Sequence, residues 1–316
     1  MSNPTPIQEI KDPLFFKKEV RLFIKRDDLL LDTKAPDFNG NKQRKMKYNL
    51  LAAKERDFDT LLTFGGAFSN HIAATAAAGH LLGFKTIGII RGERPTELNP
   101  TLKRVLEYGM RLKFITRSAY REKVQSEFIK KLEAEFGAFY MLPEGGTNAL
   151  ALKGCAEIVE EIREAFLPLT STNKLPDYIC SACGTGGTFA GIVAGIDSRT
   201  KAIGYSALKG SFHTAEVNNF LQTNYDNTFS DWEICNDYHF GGFAKHKPPL
   251  IDFINTFKKT HNIQLEPLYT GKMFFGIYDQ IKNDFFPKGS SILAIHSGGL
   301  QGILGFNERF SGLIEV

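Results

Sequence analysis

Three glycine-rich segments carry the residues best suited to chemistry. Gly184-Thr185-Gly186-Gly187-Thr188 follows an apolar run directly and precedes the helical run Phe189 to Ile196. Glycines let backbone N–H groups converge on phosphate oxygens, threonine hydroxyls add donors, and a helix N-terminus favours a dianion. The Lys-Ser/Thr pair of a nucleotide P-loop is missing, as is GxGxxG spacing, so the phosphate expected here belongs to a small cofactor. A tight strand-to-helix turn without ligand is the alternative. The second segment, Asn39-Gly40-Asn41-Lys42-Gln43-Arg44-Lys45, is a turn leading into a helix that begins near Lys42. Taken alone, a lysine at a helix start usually faces solvent. The third, Gly65-Gly66-Ala67-Phe68-Ser69-Asn70-His71, again reads as strand, glycine turn and helix. A substrate carboxylate could sit on that helix N-terminus, with Ser69 as cap and hydroxyl donor. As an isolated cap Ser69 has no catalytic meaning.

The elements that must position these segments alternate short branched apolar runs with longer stretches of helical period, the pattern of an α/β chain with mostly parallel sheets covered by helices. Strands are predicted at Leu22 to Lys25, Thr60 to Phe64, Thr86 to Arg91, Leu112 to Ile115, Tyr178 to Ala182, Ala202 to Ala207 and Ile292 to His296. Helices are predicted at Ser69 to Leu82 and Ser118 to Phe136, the latter with Val124, Phe128 and Leu132 on its apolar face. The recurrence of strands suggests a small domain over residues 50–150, inserted into a large domain made of residues 1–49 and 151–316.

Composition narrows the function classes. The 39 basic and 35 acidic side chains are dispersed, which argues against a nucleic-acid partner. The longest apolar runs fall short of the roughly 20 residues needed to cross a bilayer, and the first thirteen residues have neither a signal nor a transit pattern. A cytoplasmic location, without membrane contact, is the expectation. The four cysteines do not suggest a disulfide framework. Cys180 and Cys183 form a CxxC, readable as a redox pair or half a zinc site, but no second ligand pair completes it. A buried strand with small apolar cysteines is the plainer reading, and no metal is expected.

Together the three motifs resemble the fold type II, tryptophan-synthase-β-like enzymes that use pyridoxal 5′-phosphate (PLP), and specifically the branch containing D-cysteine desulfhydrase and 1-aminocyclopropane-1-carboxylate (ACC) deaminase. Lys25-Arg26-Asp27-Asp28-Leu29, Gly40-Asn41-Lys42, Ser69-Asn70, Gly184 to Thr188, Glu266-Pro267-Leu268-Tyr269-Thr270-Gly271-Lys272 and His296-Ser297-Gly298-Gly299 occur in that branch's order and spacing. The likeness runs from about Leu14 to Phe306. It implies two open, twisted, mostly parallel sheets flanked by helices, with PLP between the two domains, and a homodimer.

By this resemblance Lys42 carries PLP as an imine, Asn70 hydrogen-bonds its phenolic oxygen, and Gly184, Thr185, Gly186, Gly187 and Thr188 hold its phosphate. Thr270 would face the pyridine nitrogen, where a neutral hydroxyl does not force protonation as a carboxylate would. Tyr269 would serve as an acid or base or as a packing surface. Ser69, Asn70 and His71 would bind a small amino-acid substrate, and His71 reads equally as a satisfied buried histidine. Two departures bear on the substrate. ACC deaminases have a carboxylate where this chain has Thr270, and both enzyme types have a tyrosine where the loose local match, Gly241-Gly242-Phe243-Ala244, has phenylalanine. The expected reaction is α,β-elimination of a D-amino acid such as D-cysteine. ACC deamination and a non-catalytic PLP-binding carrier are the alternatives.

Overall fold

The computed structural model describes residues 4–170 and 174–316. Among these, a six-stranded sheet runs in the order Ile7–Ile10, Arg21–Lys25, Ser291–Ile295, Tyr178–Cys183, Lys201–Ser206, Trp232–Cys235. All its pairings are parallel except that of the first edge strand. A four-stranded parallel sheet runs Arg111–Ile115, Lys85–Arg91, Thr60–Gly65, Tyr140–Leu142. A short antiparallel pair, Leu31–Asp32 with Ala35–Asn39, lies between them in the chain.

Parallel strands covered on both faces read as continuous apolar runs, and this is why the seven predicted strands all form, within a residue of their expected ends. In Arg21–Lys25, Leu22 and Ile24 point to one face and Phe23 to the other. The first face packs Ile203, Tyr205, Ile292 and Ala294 on the helices Pro248–His261 and Thr270–Lys282. The second packs Ile179, Leu293 and Ile295 on Ile158, Val159 and Ile162 of helix Ala149–Thr170. Cys180 and Cys183 fall into different core clusters, three positions apart on one strand and hence on opposite faces. They cannot act as a redox pair.

One predicted helix is broken. Ser118 to Phe136 forms two helices, Arg117–Arg121 and Ser126–Phe136, with Thr116 capping the first through the Ala119 N–H. Val124, expected on the apolar face, is 80% exposed in the intervening turn. The break turns Tyr120 inward, 3% exposed, with its ring 6.2 Å from that of Phe64. Phe128 and Leu132 pack on the small sheet as their spacing requires. Tertiary burial of one aromatic ring outweighs helical continuity here.

Three of the motifs sit at carboxyl ends of parallel strands, where open α/β sheets place their ligands, while the Lys42 segment follows the antiparallel strand Ala35–Asn39 and Glu266 to Lys272 follow a helix. Gly184 to Thr188 follows Tyr178–Cys183, His296 to Gly299 follows Ser291–Ile295, and Gly66 to Ser69 follows Thr60–Gly65.

Candidate active site

Helix Gly40–Glu55 carries Lys42 in its first turn. Its entry angle is set by a close backbone approach: Gly40 has φ +55°, and a Cβ there would lie 2.1 Å from the Ser297 carbonyl oxygen. The Asn41 N–H donates to that same oxygen at 3.1 Å, and the Asn41 amide donates to the Thr188 hydroxyl at 2.9 Å. The lysine segment is thereby stitched both to the His296–Gly299 loop and to the phosphate loop. Gly299 meets Asn70, whose Nδ2 would be 2.9 Å from a Cβ at that position. Gly184 lies against the Tyr269 ring, whose edge would stand 2.9 Å from a Cβ placed on that glycine. The structure therefore brings Lys42, Asn70, Gly184 to Thr188, Tyr269 and the His296 loop to one place.

Lys42 Nζ has one polar contact, the Asn41 side-chain oxygen at 3.3 Å, and no carboxylate partner among the described residues. Burial lowers its pKa to about 8. An amine so placed is readily neutral, which imine formation and proton abstraction both need.

No protein group among the described residues accepts from the backbone N–H groups of Gly184 to Thr188. Gly186 has φ +72°, and helix Gly187–Gly195 starts there with no side-chain cap. The loop is an open nest of donors at a helix N-terminus. Beneath it lies Lys45, whose Nζ donates to Gly145 O (2.7 Å), Thr147 Oγ1 (2.7 Å) and Thr185 Oγ1 (3.1 Å). Burial, reinforced by the neighbouring Lys42 charge, lowers its pKa to about 7. An anion on the loop would supply the counter-charge this buried ammonium lacks. His213, itself buried, fixes the loop from behind through Nε2, 2.7 Å from the Gly184 carbonyl oxygen. Sequence reasoning assigned no role to Lys45, Thr147 or His213. The spacing i to i+3 from Lys42 places Lys45 on the same helix face and was the available signal. Thr147 and His213 offer none, because their relevance arises only from the fold.

Ser69 caps helix Asn70–Leu82, its Oγ accepting from the His71 and Ile72 N–H groups at 3.2 and 3.3 Å. Its hydroxyl proton is left free to donate. The Asn70 side chain makes no hydrogen bond with any described residue, so its amide is available to a ligand. His71 is placed differently from the substrate-binding expectation. Its ring is 2% exposed, with Nε2 2.9 Å from Thr63 Oγ1, while that hydroxyl donates to Leu142 O at 3.0 Å. Nε2 therefore carries the hydrogen, and Nδ1 is a buried acceptor without a partner. Burial, then the charges of Lys42 and Lys45, hold its pKa well below the usual histidine value. A neutral ring buried against Thr63 and Gly146 fits the buried-histidine reading, the alternative to carboxylate binding.

Tyr269 and Thr270 begin helix Thr270–Lys282. Tyr269 Oη has no protein partner among the described residues, and burial raises its pKa above the ordinary phenol value. The Phe243 ring lies 6.0 Å from the Tyr269 ring, centroid to centroid, so the loosely matched Gly241-Gly242-Phe243-Ala244 loop does wall the site. Lys272 pins that loop from below by donating to the carbonyl oxygens of His239 (2.9 Å) and Gly242 (2.8 Å).

The sequence profile of the pyridoxal-phosphate dependent enzymes matches residues 2–298. The chain belongs to that family. PLP is its cofactor, and the residues present fit the group in kind: a lysine amine without a carboxylate partner, an open donor nest above a buried cation, and an unengaged Asn70 amide. As a PLP-dependent enzyme it is 30% identical over 336 residues to the bifunctional D-cysteine desulfhydrase/1-aminocyclopropane-1-carboxylate deaminase, mitochondrial, of Arabidopsis thaliana, covering 98% of this chain and 80% of that protein. It is 29% identical over 307 residues to a putative 1-aminocyclopropane-1-carboxylate deaminase of Pyrococcus abyssi, covering 93% of this chain and 89% of the other. Among solved structures, an ACC deaminase homologue superposes with a TM-score of 0.82 at 26% identity, over 99% of this chain and 94% of that one. A fungal L-serine ammonia-lyase from Rhizomucor miehei shares the fold, with a TM-score of 0.62 at 14% identity, over 94% of this chain and 93% of that one. No helix among the described residues is long and apolar enough to cross a membrane.

Proposed function

We propose that this PLP-dependent enzyme is a lyase that converts a small D-amino acid bearing a β leaving group, with D-cysteine as the type substrate, by the balance D-cysteine plus water to pyruvate, ammonia and hydrogen sulfide. PLP supplies an electron sink for the bond-breaking at the α-carbon. The protein's part is positional. The Gly184 to Thr188 donors would hold the phosphate over the charge of Lys45, Asn70 would hold the phenolic oxygen, and the Lys42 amine would take the α-proton. The Ser69 hydroxyl and the Asn70 N–H, on the open helix N-terminus, hold the substrate carboxylate.

The observation that carries the choice of substrate is the Phe243–Tyr269 pair. Opening the ring of ACC requires a proton delivered to a ring carbon, and this wall offers one phenol with a raised pKa and a phenyl ring beside it. A thiolate leaves without an acid. ACC deamination is the second reading, favoured by the name of the similar protein from Pyrococcus abyssi, while the name of the Arabidopsis protein carries both activities. D- and L-amino acids with β leaving groups, plus ACC, assayed for pyruvate, 2-oxobutyrate and sulfide on PLP-saturated protein, decide between them. D-cysteine or β-chloro-D-alanine should show kcat/KM at least about tenfold above ACC, equivalent to about 1.4 kcal/mol in the barrier. Appreciable 2-oxobutyrate from ACC without product from D-cysteine reverses the ranking. No turnover of any compound leaves a PLP-binding carrier.

A further inference from the structure

Glu266 is a fully buried carboxylate that none of the roles above uses. It has no ion-pair partner among the described residues; Lys272, the nearest cation to act on it, is committed to three backbone carbonyls. Everything that touches the Glu266 carboxylate is a donor. Oε2 accepts from the Leu268 N–H at 2.7 Å, and Oε1 accepts from the Tyr269 N–H at 2.9 Å, the Thr270 N–H at 2.5 Å and the Thr270 hydroxyl at 3.0 Å. These N–H groups lie at the entry of helix Thr270–Lys282, with Tyr269 its N-cap and Thr270 its first residue, and the helix dipole further favours an anion there. With four donors and no acceptor around it, a proton on Glu266 would have nowhere to point, so the group is ionised. Burial raises its pKa and the donors oppose that rise.

The consequence falls on Thr270, itself wholly buried. The one acceptor within reach of its hydroxyl among the described residues is Glu266 Oε1, and the Glu266 N–H donates back to Thr270 Oγ1 at 3.2 Å. The hydroxyl proton therefore points at the carboxylate, and one lone pair of Oγ1 is left without a donor among the described residues.

We propose that Glu266 is a positioning residue that orients the Thr270 hydroxyl as an acceptor, so that Thr270 holds the ring nitrogen of bound PLP in its protonated form. This rests on the reading that the pyridine nitrogen faces Thr270. It changes what a threonine at that position means: with a buried carboxylate behind it, the hydroxyl relays negative charge toward the ring, and the cofactor withdraws electrons more strongly than a lone threonine would allow. The relay serves loss of the α-proton whichever substrate is bound.

The test uses PLP labelled with 15N in the ring, reconstituted into the wild-type enzyme and into Glu266→Gln, Thr270→Ser and Thr270→Val, and reads the 15N chemical shift without substrate. The wild type and Thr270→Ser should show a protonated pyridine, and Glu266→Gln and Thr270→Val a neutral one, each with stoichiometric PLP bound. A neutral nitrogen in the wild type, or a protonated one in PLP-loaded Glu266→Gln, overturns the proposal. Should Glu266→Gln fail to fold, the Thr270 pair decides: a protonated ring in Thr270→Val overturns it, and a shift that is lost with valine and kept with serine supports it. Because no substrate is present, a failure of the lyase reading, seen as no turnover, leaves this signal readable.

Discussion

The Lys45 ammonium lies 3.1 Å from the Thr185 hydroxyl, although 140 residues separate the two in the chain. That contact joins the helix of Lys42 to the phosphate loop and puts a buried cation under an open set of backbone donors. Charge-assisted hydrogen bonds are worth about 1.5–3 kcal/mol. Lys45→Met should therefore weaken PLP affinity about 10- to 100-fold, measured by equilibrium titration of apoprotein. Gly186→Val should weaken it as well, since Gly186 has φ +72° and a Cβ would meet Val217 at 3.1 Å, whereas Thr185→Ser keeps the hydroxyl and the affinity. Unchanged affinity in a folded Lys45→Met protein would place the phosphate elsewhere.

Lys42 should be the residue that captures the cofactor. Borohydride reduction followed by peptide mapping should find the pyridoxyl group on Lys42, and Lys42→Ala should lose the imine absorbance while keeping the fold. The neutral amine is the nucleophile, and its pKa in the folded protein is lowered to about 8. The rate of imine formation should thus rise with pH and level off above about pH 8, where a free lysine would still be gaining reactivity. The sign for stability is the same. Between about pH 8 and the ordinary lysine value the unfolded chain binds the extra proton, so Lys42 makes apoprotein stability rise with pH across that window. A rate still climbing steeply at about pH 10 would contradict the placement of Lys42.

A cluster of two buried cations, buried Asp27 and partly buried Glu161 locks the Lys42 helix to helix Ala149–Thr170. Arg44 meets Asp27 at 2.8 Å and Glu161 through two nitrogens, and Lys25 meets Glu161 at 2.7 Å and Asp27 at 3.6 Å. Removing one partner of such a cluster leaves an uncompensated charge in low dielectric, at a cost of about 3–5 kcal/mol. Glu161→Gln should lower the thermal midpoint by about 5–8 °C, read by calorimetry on the apoprotein. Asp59→Asn, which breaks the solvent-exposed pair with Lys85, should leave the midpoint where it is. Equal effects of the two substitutions would remove the cluster from the account of how Lys42 is held.

Much of this architecture is legible in the sequence, for a physical reason. Strands such as Ser291–Ile295 and Tyr178–Cys183 are buried on both faces, and their unbroken apolar runs need no partner to be recognised. Edge strands are not marked in that way: Ile7–Ile10, Trp232–Cys235 and the proline-containing Ala35–Asn39 are defined by what they pair with. The glycine turns announce Lys42, Ser69, Asn70 and Gly184 to Thr188 because close backbone approach leaves a local signature. What a side chain does after it leaves the backbone leaves none. The motif around Ser69 and Asn70 includes His71 in sequence, yet burial against Thr63 turns that ring into the small sheet's core. The reverse happens at Glu266 and Lys45, which stand inside recognised motifs without any sign of their partners. Their roles depend on desolvation and on groups brought together by the closure of both sheets around one cleft. Sequence alone determined the two-sheet α/β fold and the position of the lysine. Tertiary structure decided which buried charges surround it, because the energy of a charge is set by its neighbours in space and not by its neighbours along the chain.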